Sequence, residues 1–305
     1  SLRFISRPLD SFHVLVGANA TGKSTFLDVI SFLSDIVNFG IDSAIQERAS
    51  HFDELTFAEK GGDIELAIEV KLPETISTLF SEKKFTLIRY ELRIGVLPET
   101  NENAIKEEKV VLLTPTAKYK ATTTIQKTLF PEYTEVPTSI LLDKLKPTQY
   151  RRVASKKEGG NDNFYSELHE ISGKGWIPSF KLGMKKSSLG NLPEDVTKFP
   201  SATWLKSFLQ QGVQAFILNS LVIKRPSPPG QTQHFKTDGS NIPWVIENLR
   251  KDSNRFGRWI EHIQTALPDI IDIFTIEREE DRHRYIKIKY KNDITVPSWL
   301  VSDGT

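Results

Sequence analysis

A chain of 305 residues with no cysteine can form neither a disulfide nor a thiolate metal site, and it is long enough for one large core or two smaller ones. Its 40 basic and 39 acidic residues leave no overall field to draw it to nucleic acid or an anionic membrane, so any such contact needs a local patch. A hydrophobic fraction of 38% is ordinary for a folded protein, and no run approaches the ~18 apolar residues of a membrane span, so the expected setting is cytoplasmic with no membrane partner.

From the N-terminus, residues 2–6 read as a short strand. Residues 12–16, Phe-His-Val-Leu-Val, read as a buried one. The run Gly17-Ala18-Asn19-Ala20-Thr21-Gly22-Lys23-Ser24-Thr25 follows, matching G-x-x-x-x-G-K-[ST], and apolar residues then recur at helical spacing from Phe26 to Val37. In a strand, glycine loop and helix of this order, backbone N–H groups wrap a phosphate at a helix N-terminus, where unpaired donors and the helix dipole favour an anion. Gly17, Asn19, Ala20, Thr21, Gly22, Lys23, Ser24 and Thr25 are the expected binding residues. Lys23 would reach the β- and γ-phosphates and serve catalysis, and Ser24 would ligate Mg²⁺.

The helix is expected to stop at Gly40, with a second short helix at 43–49. The period then changes to two: residues 64–70 and 88–96 alternate apolar and polar, reading as half-buried neighbours in an antiparallel sheet, and 108–113 as a third strand. Glu107 and Glu108 are read as preceding that third strand. From 115 to 212 the pattern weakens, which reads as an inserted subdomain. Its basic runs, Arg151, Arg152, Lys156, Lys157 and then Lys181, Lys185, Lys186, read as solvated faces or as DNA contacts. Beyond a proline-rich loop at 224–230, Asp238-Gly239-Ser240-Asn241 before Pro243 announces a helix, 254–267 a second, and 271–276 and 285–290 two strands. The expected division is 1–114, 115–212 and 213–305.

The chain closes on Val301-Ser302-Asp303-Gly304-Thr305. Taken together, the early G-A-N-A-T-G-K-S-T-F-L-D, the D-G-S-N-I-P-W-V-I-E-N-L helix start and the late V-S-D-G-T resemble the ABC-type ATPase heads of the RecF, OLD and SMC group, and above all the bacterial "AAA family ATPase" proteins of DNA repair and phage defence. The resemblance spans both ends of the chain, and residues 115–212 add almost nothing to it. It implies an α/β fold: a P-loop NTPase sheet of the ABC-ATPase kind with helices, an antiparallel β-subdomain and an inserted α+β region. It also implies that Ser302 and Gly304, flanked by Asp303 and Thr305, take the signature role, contacting the nucleotide held by a second copy.

The function implied is an ATP- and Mg²⁺-dependent dimeric switch that controls a nuclease effector, with DNA as a further partner. Family members continue past the signature to a Walker B Asp-Glu and a switch histidine. Neither is found here, so hydrolysis by this chain alone is expected to be weak and the sequence reads as cut at the signature motif. The alternative is a scaffold module that uses ATP structurally with little turnover.

Overall fold

A computed structural model describes residues 2–80, 85–115, 117, 137–142, 146, 148–168, 178–216, 219–232 and 235–302. The chain divides into two compact units, residues 1–213 and 214–305.

In the first unit, helix α1 (Lys23–Phe39) and the short α2 (Ile41–Gln46) precede the strands β1 (Ile64–Lys71), β2 (Leu87–Val96), β3 (Asn103–Leu113), β4 (Tyr150–Lys157), β5 (Asp162–Phe164) and β6 (Ser179–Phe180). One turn of helix, α3 (Glu74–Ser77), lies between β1 and β2, and α4 (Pro200–Ser207) follows β6. Among the described residues these strands form one sheet in chain order, each antiparallel to the next. In such an antiparallel meander consecutive strands pair, and one face can be buried while the other carries charge.

The apolar face is set by the period of two. Ile64 lies opposite Ile94, Leu66 opposite Leu92, Ile68 opposite Tyr90 and Val70 opposite Ile88, while Glu65, Ala67 and Glu69 oppose Arg93, Glu91 and Arg89 on the other side. Against the apolar face pack Leu33, Ile36 and Val37 of α1, Ile41 and Ile45 of α2, and Ala202 and Leu205 of α4, all in one buried cluster. Gly40 ends α1 at φ 88, and its N–H donates to Ile36 O, as the glycine there leads one to expect.

The strands at 64–70, 88–96 and 108–113 are therefore present, with two corrections. β2 is buried on nearly its whole length rather than on one face, and β3 begins five residues earlier than expected, so Glu107 and Glu108 lie inside it. Glu108 falls on the apolar face and is fully buried. Its charge is tolerated because four donors converge on the carboxylate: Tyr90 Oη at 3.0 Å, Ser187 Oγ at 2.7 Å, and the N–H groups of Ser188 at 2.7 Å and Leu189 at 3.0 Å. Burial and that carboxylate together push the Tyr90 phenol well above its usual range.

β4 corrects the first basic run. Lys156 is buried against Asp162 at 3.0 Å and donates to the carbonyl of Gly183 at 2.8 Å, and Arg151 donates to Glu167 O, so neither belongs to a solvated cationic face.

A larger correction concerns residues 12–16. They form no strand, and Phe12, Val14 and Val16 are 82%, 68% and 89% exposed. A strand requires a neighbour to pair its N–H and C=O groups, and no parallel neighbour runs beside these residues among those described, where both sheets are antiparallel throughout. What the structure shows is a mixed α/β unit built on an antiparallel sheet. Residues 2–6 likewise carry no strand.

In the second unit, the short α5 (Ser220–Ile223) leads to α6 (Ile242–Leu249), α7 (Ser253–Ala266) and the antiparallel strands β7 (Ile270–Glu277), β8 (Arg284–Tyr290) and β9 (Thr295–Pro297). Ile246 and Ile260 of the helices pack on Ile270, Ile273, Ile286 and Ile288 of the sheet. The Asp252 carboxylate caps α7 by accepting from the N–H groups of Asn254 and Arg255. Arg250 ties α6 to β7 through Asp272 and the carbonyl of Ile273, both at 2.7 Å.

Glu167, buried in the first unit, accepts from the N–H groups of Ser201 at 2.8 Å and Ala202 at 2.9 Å in the first turn of α4. Burial pushes its carboxyl up to about 7, against the opposing pull of those two N–H groups and of Arg151. The folded protein thus holds a proton that the unfolded chain, with an ordinary carboxylate near 4.5, has already released. Stability associated with this group falls as pH rises through that window and is lost above it. The full difference is on the order of 3 kcal/mol. Urea unfolding at pH 5 and pH 8 should show a loss of stability with rising pH that Glu167→Gln removes; an identical pH slope in the variant contradicts the assignment.

Candidate functional site

The glycine run forms a turn whose last residues open α1. Gly22 sits at the N-cap in the left-handed region, φ 85, and Ala20 adopts φ 63, a conformation that an L side chain reaches only at some cost. A Cβ on Gly22 would lie 2.5 Å from Leu2 Cδ2, so both dihedral and space favour glycine. Gly22 O accepts the N–H of Phe26 at 2.9 Å, starting the helical ladder and leaving the N–H groups of the first turn without intrahelical partners. The first turn holds no acidic side chain to compete for them.

Lys23 folds back over the loop. Its ammonium donates to Gly17 O at 2.8 Å and Ala18 O at 2.6 Å and lies 3.4 Å from Thr21 Oγ1, which itself donates to Ala18 O at 2.9 Å. The cation is therefore held at the mouth of the turn by carbonyls that an incoming anion oxygen can replace. Ser24 and Thr25 are exposed on the first turn of α1. These residues fit a nucleotide's phosphates: a left-handed glycine, the unpaired N–H groups of a helix N-terminus and a flexible cation lie together in one loop. Ser24 can offer one oxygen to Mg²⁺, an ion that ordinarily takes its remaining ligands from phosphate and water. No group of three or more His, Asp or Glu side chains is placed to hold a metal among the described residues.

The rear half of α1 anchors the site. Phe32, Leu33, Ile36 and Val37 are buried, and Ser34 Oγ donates to Leu209 O at 2.6 Å. Arg48, just beyond α2, grips the outer side with ion pairs to Asp28 at 2.8 Å and Asp35 at 2.7 Å and lies over the Phe32 ring at 4.9 Å. Those two carboxylates raise the guanidinium pKa against the opposing effect of burial. The C-terminus of α1 is held by close approach: a Cβ on Gly190 would lie 2.3 Å from Val37 O, and Gly190 is carried by the 187–189 turn that Glu108 ties to the sheet. Sequence reading missed Arg48 and Glu108. The signal for Glu108 was available, because position 108 shares the strand face of Val110 and Leu112.

The structure thus brings Gly17, Asn19, Ala20, Thr21, Gly22, Lys23, Ser24 and Thr25 together in one loop of the first unit. Ser302 is exposed in the second unit, following the turn at Ser298–Leu300. Asp303, Gly304 and Thr305 lie outside the described residues.

Residues 12–110 match an ATPase-domain family. Its description is "AAA domain, putative AbiEii toxin, Type IV TA system". No curated protein and no solved structure matches the chain. The match covers about one third of the sequence, from the segment before the glycine loop to β3, and it supports an AAA-type, P-loop ATPase domain. The matched residues take in the loop, α1, β1, β2 and most of β3. No helix among the described residues is long and apolar enough to cross a membrane.

Proposed function

We propose that this chain binds ATP with Mg²⁺ at the loop of residues 17–25 and works as an ABC-type head of the RecF and OLD kind. It is a nucleotide-gated dimeric switch in DNA repair or anti-phage defence, acting on a nuclease effector. The observation that carries the reading is the loop itself: a left-handed Gly22 at the N-cap of a firmly anchored helix, with Lys23 folded over the loop carbonyls. The family match to residues 12–110 supports the ATPase class, and its description names a toxin–antitoxin system, in keeping with a role in defence.

In this reading the protein's own groups bind and orient. First-turn N–H groups of α1 and the loop N–H groups receive phosphate oxygens, Lys23 exchanges its carbonyl partners for the terminal phosphates, and Ser24 supplies a metal ligand. The γ-phosphate would then be covered by Ser302 and Gly304 of a second copy, so that assembly depends on which nucleotide is bound.

Light scattering of the chain with ATPγS, ADP or no nucleotide tests this, with phosphate release recorded in parallel. Association driven by ATPγS but not ADP, abolished by Ser302→Arg while nucleotide binding persists, is the expected result. Association indifferent to nucleotide would replace the switch with a scaffold, and unchanged association in Ser302→Arg would remove the signature role.

A further inference from the structure

Helix α1 is anchored unevenly along its length. Its buried residues, Phe32, Leu33, Ser34, Ile36 and Val37, all belong to the rear half, and no residue from Lys23 to Ser31 is buried. Ser24, Thr25 and Leu27 are exposed, while Val29 packs, partly buried, on the core cluster of the first unit. The end of the helix that carries the glycine loop thus projects beyond the packing that holds the other end. A helix start without support frays, because its first N–H groups have no partners within the helix.

Among the described residues, a single ion pair reaches this projecting half from outside the helix: Arg48 Nε with Asp28 Oδ2 at 2.8 Å. Arg48 stands just beyond α2, which is itself buried through Ile41, Ala44 and Ile45. Its guanidinium donates to Ala44 O at 2.9 Å, pairs with Asp35 at 2.7 Å and lies over the Phe32 ring at 4.9 Å. Asp35 and Phe32 belong to the anchored half of α1 and Asp28 to the projecting half, so one side chain staples the two together. The Arg48 side chain is 14% exposed and that of Asp28 45%, so the contact runs from a fixed, largely buried cation out to a half-exposed carboxylate. A planar guanidinium holds several acceptors in set directions, which a compact ammonium does not.

Asp28 follows Ser24 by four residues, so the two share one face of α1 a turn apart, and side chains on a helix lean toward its start. Holding Asp28 therefore sets the rotation of the helix about its axis where Ser24 and the first-turn N–H groups are presented.

We propose that Arg48 is a positioning residue for the loop of residues 17–25. Acting through Asp28, it braces the projecting turns of α1 and aims the first-turn N–H groups and the Ser24 hydroxyl at a nucleotide's phosphates and Mg²⁺. The role rests on the nucleotide site proposed for that loop. Its effect is to lower the ordering cost of binding, since a braced helix start has less freedom to lose.

Hydrogen exchange and equilibrium titration with a fluorescent ATP analogue and Mg²⁺, both on the whole chain, test it. Asp28→Asn and Arg48→Gln should each speed exchange of the Leu27 and Asp28-position amides by at least about 10-fold, with those of Ile36 and Val37 changing less than about 2-fold. Each should weaken ATP binding by about 10-fold, and Arg48→Lys should recover part of that loss. Adding Asp28→Asn to Arg48→Gln should cost less than about a further 2-fold, because both remove the same contact. A merely structural role would lower the melting temperature without moving the affinity. If Arg48→Gln also releases the rear amides, the half-exposed Asp28→Asn decides by itself. Front amides unchanged in Asp28→Asn, or faster with ATP affinity unchanged, would overturn the positioning role alone. A wild type that binds no ATP would remove the nucleotide site and this role with it.

Discussion

Lys23→Ala should weaken ATP binding by about 100-fold or more, roughly 3 kcal/mol, while leaving the fold intact. The ammonium makes its contacts with Gly17 O, Ala18 O and Thr21 Oγ1, all within the loop, and none with the buried cluster that holds α1. Removing it therefore deletes a charge from the proposed phosphate-binding loop without uncovering core. Equilibrium titration with a fluorescent ATP analogue reads the affinity, and the far-ultraviolet spectrum and melting temperature serve as controls. Lys23→Arg should recover only part of the affinity, because the planar guanidinium cannot turn within the same loop as a compact ammonium does. Wild-type affinity in Lys23→Ala with an unchanged melting temperature would place the nucleotide elsewhere.

The second large effect concerns folding. Glu108→Ala should destabilise the first unit by about 4 kcal/mol, because it strands the Tyr90 and Ser187 hydroxyls and the N–H groups of Ser188 and Leu189 inside the protein. The damage should spread toward the loop of residues 17–25, since the turn released at 187–190 is the one that lies against Val37 O at the end of α1. Glu108→Gln keeps one carbonyl acceptor but turns an amide toward one of the N–H donors, so its cost should be intermediate. Thermal melts of the three proteins give the order wild type, Gln, Ala, and a spread below about 1 kcal/mol would show that the carboxylate is not what holds this turn.

Several parts of the molecule could be read before any coordinates. The glycine run places a turn at a helix start, and the structure opens α1 there with Gly22 at its N-cap. Strict alternation at 64–70 and 88–96 specifies two paired strands, since a register slip by one residue would turn every apolar side chain outward. The proline in its first turn announces α6, while the polar cap expected there is not made: the Asn241 side chain at the N-cap accepts from Lys236 N–H and donates to Thr232 O instead. These are local signals, carried by dihedral preference and by period, and they survive whatever surrounds them.

Tertiary structure decided the rest. Phe12, Val14 and Val16 have the composition of a buried strand, yet a strand exists only where a second one pairs with it, and composition cannot supply the neighbour. Arg89, Glu91, Glu108, Lys156 and Glu167 are ionisable side chains that sequence alone assigns to solvent. Each is buried because distant segments, at 139–142, 162, 183–189 and 201–202, bring donors or counter-charges to it. Hydrophobic period is written along the chain, but the compensation of a buried charge depends on groups many residues away, so it becomes visible only when the chain is folded.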